Sequence, residues 1–215
     1  MGIQKWGAFG GFRKKAGNLV GRRVNGQNVI SQLPHESERP PTEAQLSVRA
    51  MFKLVVTFMK WISPLIKVGF QHAGKPKQTP FNAAFRYNFE NAVTGMYPNW
   101  EVDYPKFMYS VGMLGNSDSA SVVADTAEQL DFSWDAVPNT SIGSGTDKAT
   151  LLVYNPVKDR FVMQADAALR SALQYTMAMP ANFGGDLVHV WMSFVSADRK
   201  MASNTVYLGE IEIVA

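Results

Sequence analysis

The side chains best equipped for chemistry are three histidines, His35, His72 and His189, and the serines of the loop Ser141-Ile142-Gly143-Ser144-Gly145. Imidazoles would bind a metal or act as general bases, and a serine becomes a nucleophile once a base takes its proton. Neither chemistry finds its spacing here. No histidine has a second His, Asp or Glu at zinc-ligand spacing, and HExxH is absent. The Gly-Ser-Gly stretch is not the Gly-x-Ser-x-Gly of a nucleophile elbow, and it reads as a loop between strands. Asp131 and Asp135 read as solvated surface. The glycines of residues 7–17 would cradle a phosphate only between a strand and a helix, and a hairpin follows them instead. The expectation is therefore a non-enzyme, with no catalytic, cofactor-binding or metal-binding residue and no small-molecule substrate.

What the residues do offer is charge. Residues 1–77 hold 13 Lys and Arg against 3 Asp and Glu, and residues 78–215 hold 8 against 15, beneath a net charge of only +3. Opposite signs at opposite ends favour head-to-tail attraction between copies, or presentation of the basic part to a polyanion. The first 35 residues carry no acid. There Arg13, Lys14, Lys15, Arg22 and Arg23 follow the aromatic residues Trp6, Phe9 and Phe12, a combination suited to an interface or to single-stranded nucleic acid. Arg49, Lys53, Lys60 and Lys67 are spaced by four, seven and seven. On a helix they fall within about 40° of one another as one narrow cationic stripe.

Elements must position these groups. Asn25-Gly26 is a two-residue hairpin signal, with Leu19–Val24 and residues 27–33 as its strands. Pro40-Pro41 followed by Thr42-Glu43-Ala44-Gln45 opens a helix at about 42–73, kinked at Pro64. Thr79-Pro80 opens a second at about 80–94, with Phe81, Phe85 and Phe89 on one face and Gly95 as its C-terminal cap. Tyr97-Pro98-Asn99-Trp100 reads as a turn, and residues 106–114 as a weak strand. Gly115-Asn116-Ser117-Asp118-Ser119 has linker composition. It divides a basic domain, 1–114, whose arm and hairpin occupy 1–35, from a strand-rich domain, 118–215. Strands are expected at 121–123, around 130–134, at 150–155 and 160–164, around 173–177, and at 187–195 and 206–214. About seven short strands in such a span suit a β-sandwich.

The chain has 215 residues, 46% of them hydrophobic and 18% charged, and no cysteine. That is a globular composition with no disulfide or thiol chemistry. The start lacks the apolar core of a signal peptide. Lys53, Lys60 and Lys67 interrupt the longest apolar stretch, so neither a membrane span nor a membrane partner is expected. Synthesis in the cytoplasm is the corresponding expectation, with a virion or a non-classically exported assembly as the final location.

Leu130-Asp131-Phe132-Ser133-Trp134-Asp135 resembles the second strand of fibronectin type III domains, with its buried Trp. The late strands, 188–195 and 206–214, fit the same immunoglobulin-like pattern, although His189 and Trp191 stand where a tyrosine corner is usual. Nearly the whole chain also resembles a family of bacterial proteins of unknown function and about this length. The matching stretches are residues 10–21, Arg39-Pro40-Pro41-Thr42-Glu43-Ala44-Gln45, Phe81-Asn82-Ala83-Ala84, Asn91-Ala92-Val93-Thr94-Gly95, Asp147-Lys148-Ala149 and Tyr207-Leu208-Gly209. Phe12-Arg13-Lys14-Lys15-Ala16-Gly17 departs from that family's Ser-Gly-Lys-x-Gly and raises the charge. The resemblance implies that both parts form one unit, and it implies no reaction.

The expected fold is α+β: an N-terminal β-hairpin and two helices joined to a C-terminal immunoglobulin-like sandwich. The expected function is a structural or assembly protein, a homo-oligomer that self-associates through its arm and hairpin into filaments, rings or a particle. Nucleic-acid binding through the same basic region is the second reading.

Overall fold

The computed structural model describes residues 2–3, 12–24, 26–34, 39–117, 119–136 and 142–214. Trp6, Phe9, Asn25, His35 and Ser141 lie outside the described residues. The chain divides into two compact units, Met1–Glu43 and Ala44–Ala215.

Gly26 turns with φ +80°, and the hairpin forms on the expected strands, β3 (Leu19–Val24) and β4 (Gln27–Gln32). It widens into a four-stranded antiparallel sheet by adding β1 (Gly2–Ile3) and β2 (Lys14–Ala16), in the order β1-β4-β3-β2. Phe12 lies directly over Gly21. A Cβ there would overlap both the backbone and the ring of Phe12, so the close approach needs glycine. Phe12, expected as a free interface anchor, is thus half-buried on its own hairpin.

The larger unit opens with the long apolar run, which is two helices: α1 (Glu43–Trp61) and α2 (Ser63–Gly69). The break falls at Ile62, ahead of Pro64, because a proline is tolerated in the first turn of a new helix but not inside an old one. α2 stops at Gly69, short of residue 73. The third helix, α3 (Pro80–Asn91), starts as expected, with the Thr79 hydroxyl accepting from the Asn82 amide at 3.2 Å. It ends three residues early because Val93 already belongs to a hairpin, β5 (Val93–Met96) with β6 (Asn99–Val102). Gly95 is therefore a strand residue rather than a cap. Its φ is +95°, and a Cβ would strike the Asn99 carbonyl. Residues 106–114 are not a strand: a 3-10 turn at Tyr104–Lys106 leads into extended chain whose one described bridge is Leu114 to Ser203.

Seven strands then form two sheets. β7 (Ser121–Val123), β8 (Gln129–Ser133) and β11 (Gln174–Ala178) make one, in the order β11-β8-β7. β9 (Lys148–Asn155), β10 (Arg160–Gln164), β12 (Leu187–Val195) and β13 (Val206–Glu212) make the other, in the order β10-β9-β12-β13. All pairings are antiparallel, and this is the strand order of an immunoglobulin-like sandwich. The fold is α+β. Leu130, Phe132, Leu151, Val153, Val190, Met192 and Phe194 fill the space between the sheets. Trp134 is buried beside them, as expected of the second strand, and its indole donates to the Arg170 carbonyl at 2.8 Å.

The expected division at residues 115–119 does not hold. Alternate residues of β9 and β12, namely Leu152, Tyr154 and Trp191, point out of the sandwich and join a second core with Val55, Phe58, Met59, Ile62 and Ile66 of the helices. Helices and sandwich share this core, so they cannot be separate domains. The linker-like stretch is itself clamped. Arg170 is buried, its guanidinium donates to the carbonyls of Gly115 (2.6 Å) and Asn116 (2.9 Å), and it lies 4.2 Å from the Phe194 ring centroid. Asn, Gly and Ser in that stretch serve a tight, hydrogen-bonded crossing rather than a free hinge.

Two aromatic residues three positions apart on α1 separate the buried face from the exposed one. Phe58 is 7% exposed and Trp61 60%. Phe58→Ala is expected to cost about 3–5 kcal/mol and Trp61→Ala less than about 0.5 kcal/mol in chemical denaturation. Equal losses would contradict this packing.

Candidate functional site

The cations of the small unit are arranged by strand register. Directly paired residues share a face of a sheet. Lys15 pairs with Val20 and Arg22 with Val29, whereas Lys14 pairs with Gly21 and Arg23 with Asn28. Lys15 and Arg22 therefore lie on one face and Lys14 and Arg23 on the other. All four, and Arg13, are exposed. The sheet is cationic on both faces, which neighbouring positions in the sequence, read without a register, do not reveal.

The stripe on the larger unit is also exposed, with Arg49, Lys53 and Lys60 on α1 and Lys67 on α2. None of these nine cations forms an ion pair with a described residue. The later part of the chain behaves oppositely: Arg86, Lys106, Lys148, Lys158, Arg199 and Lys200 each meet a carboxylate. Surface pairs contribute little stability, but they cancel local potential. The uncompensated positive potential thus belongs to the first third of the chain.

A cleft that sequence reasoning missed opens between α1 and the β5–β6 hairpin. Its volume is about 510 Å³, within the range of ligand-binding clefts. Phe58, Trp100, Tyr104 and Tyr154 supply aromatic walls, and Lys53, Glu101 and Asp159 supply charge. Phe58 lies 4.9 Å from Tyr154 and 6.0 Å from Tyr104 between ring centroids. The Tyr154 hydroxyl donates to Asp159 Oδ1 at 2.9 Å. Burial, then that hydrogen bond, raises the Tyr154 phenol well above its ordinary value. Burial and then the carboxylates of Glu101, Asp159 and Glu210 raise the Tyr104 phenol. The indole N–H of Trp100 is buried without an acceptor among the described residues. These residues come from three separate stretches, and the one signal in the sequence was their aromatic and acidic type. Lys53, grouped with the stripe by spacing, is also part of this cleft.

His189 sits behind Tyr104, ring stacked on ring at 3.9 Å. Its Nδ1 meets the Tyr207 hydroxyl at 2.8 Å, and its Nε2 lies 4.0 Å from Glu210. Burial lowers its pKa below the ordinary 6.5, against the pull of Glu210. His72 is exposed. Among the described residues no three of His, Asp and Glu gather as metal ligands, and no helix is long and apolar enough to cross a membrane.

Residues 11–209 match the model of a family of unknown function (DUF6266), and the chain belongs to that family. No curated protein matches. Among solved structures, the fn3 domain of the human collagen alpha-1(XX) chain, a solution structure, is similar at TM-score 0.32 and 15% identity, over 47% of this chain and 87% of that one.

The unfolded chain takes up a proton on His189 before the folded chain does, so acidification below about pH 6.5 favours unfolding and stability rises with pH there. Above that range both states are neutral and the effect vanishes. His189→Gln should therefore flatten the stability loss between about pH 7 and about pH 5 in denaturant titrations. An unchanged pH slope would contradict a buried neutral imidazole.

Proposed function

We propose that this chain is a non-catalytic structural or assembly protein that self-associates through its basic N-terminal sheet. The observation that carries this reading is how little apolar surface the small unit buries among its described residues. Among its described residues, a sheet of four strands buries one large apolar side chain, Val29, while Leu19 and Val24 stay exposed. Antiparallel sheets ordinarily cover one face, and a small sheet without a packed face is marginal. β1 and β2 also present strand edges that can accept a further strand. A second copy supplies both a cover and a pairing partner.

Charge supports the same partner. The nine cations without a described ion pair complement the surplus of carboxylates in residues 78–215 of another molecule. A contact between unlike faces is heterologous, so it closes into rings or runs on as filaments. A basic arm joined to a sandwich is also a plan of virus coat proteins, and by that analogy alone a particle component is a sub-case. As such it would be made in the cytoplasm and act in a virion or an exported assembly.

Light scattering on the full chain and on a variant lacking residues 1–17 tests the reading. The expected outcome is a folded variant of lower mass, and an unchanged mass rejects self-association through this segment. The same cations also favour a second reading, binding of nucleic acid. That reading expects co-purifying material absorbing at 260 nm. It also expects changing Lys14, Lys15, Arg22 or Arg23 to Ala to make binding less sensitive to salt. The logarithmic salt slope should shrink by about 0.7–0.9 for each phosphate no longer neutralised. Salt-independent binding would count against it.

A further inference from the structure

We infer that the aromatic cleft between α1 and the β5–β6 hairpin accepts a cationic side chain of an extended peptide, and that the basic N-terminal segment of a second copy is that peptide. The second clause rests on the self-association reading above.

Three independent features of the cleft point to such an occupant. The first is its wall. Phe58, Trp100, Tyr104 and Tyr154 help to line an open cleft of about 510 Å³, and aromatic faces attract guanidinium and ammonium groups through their negative quadrupoles. The second is potential. Glu101 and Asp159 line the cleft, and together with Glu210 they raise the neighbouring Tyr104 phenol, behind the larger effect of its burial. Two carboxylates therefore line the cleft against the single cation Lys53. Asp159 spends one oxygen on Tyr154, and Glu101 has no such partner among the described residues, so hydrogen-bonding capacity remains for an incoming cation. The third is the buried Trp100 N–H, which lacks an acceptor among the described residues. A buried donor without a partner is costly, and since Trp100 lines the cleft, a turn of its ring would bring that N–H to a backbone carbonyl of an entering peptide. A simple quaternary ammonium would leave most of this volume empty and that donor unmet, so a peptide fits better than a small cation.

The occupant follows from complementarity. Residues 4–17 carry Lys5, Arg13, Lys14 and Lys15 with Trp6, Phe9 and Phe12, and no acid. Glycines at 7, 10, 11 and 17 are interspersed among them and let the backbone pass close to a wall, and Lys14–Ala16 form an outer strand, paired on one side only among the described strands.

The test uses the full chain, the double variant Glu101→Gln with Asp159→Asn, Trp100→Phe, Lys53→Glu, and a synthetic peptide of residues 4–17. Thermal melts first establish that each variant is folded. In light scattering, excess peptide should lower the mass of the wild-type assembly, and the double variant should be smaller without peptide. In calorimetric titration the peptide should bind the double variant about tenfold more weakly than wild type, and binding should weaken with salt. Trp100→Phe keeps the ring and loses the donor, and it should also bind more weakly. Lys53→Glu should bind more tightly. A double variant with wild-type mass and wild-type peptide affinity overturns the cleft assignment. If removing residues 1–17 still lowers the mass in that case, self-association stands and only the cleft is wrong. Should the wild type be monomeric at every concentration, self-association fails and the titration alone judges the cleft, where absence of peptide binding overturns it.

Discussion

The architecture depends on burying two central strands on both faces. β9 and β12 pair through seven residues, from His189–Tyr154 to Val195–Lys148. Their inward side chains fill the sandwich, and their outward side chains, Leu152, Tyr154 and Trp191, meet the helices. A sandwich strand normally turns one face to water. Here an outward Trp191 would be left in solvent if α1 and the 104–111 segment were removed, and its indole N–H would lose the Tyr104 carbonyl at 3.1 Å. Phe58 is the centre of this second core, packed against Tyr104, Phe107, Tyr154 and Phe161. The helices are thus a third layer of one unit, covering one sheet rather than forming a separate bundle.

That layering also creates the cleft. α1 covers the sheet near Phe58, and the β5–β6 hairpin approaches it from the side. The gap between them is lined by Tyr154 and by Tyr104, which is itself held by stacking on His189. Residues that complete the core on one side therefore line a solvent-open space on the other. The same rings can stabilise the fold and receive a ligand, so aromatic content alone does not separate the two roles.

The small N-terminal unit follows a different logic. Its strands are held by backbone hydrogen bonds and register, with little apolar burial among the described residues. Cations on both faces oppose collapse onto a like-charged surface and favour a partner of opposite sign. The larger unit pairs most of its later cations internally and leaves those of the α1 and α2 stripe without a described ion pair, so the charge asymmetry visible along the sequence persists as an asymmetry of compensation.

Local features were legible in the chain itself. Leu187–Val195 and Arg160–Gln164 were readable as strands, Thr79-Pro80 as a helix start, the hairpin around Gly26 as a turn, and Arg49, Lys53 and Lys60 as exposed positions of one helix, with Lys67 exposed on the next. Each rests on nearest-neighbour geometry: a turn that needs positive φ, a cap that needs a hydroxyl, or a period of two or nearly four residues. Pro64 did mark the interruption of the long helix, whereas the clamped crossing at Gly115–Asn116, the shared outer core and the cleft were not legible. They depend on Arg170 reaching back some 55 residues, and on Trp100, Tyr154 and Phe58 meeting from distant stretches. Composition marked residues 115–119 as a linker because glycine, asparagine and serine serve free hinges and tight buried crossings alike. Only the tertiary packing decides between them, since only there does a buried guanidinium find those carbonyls.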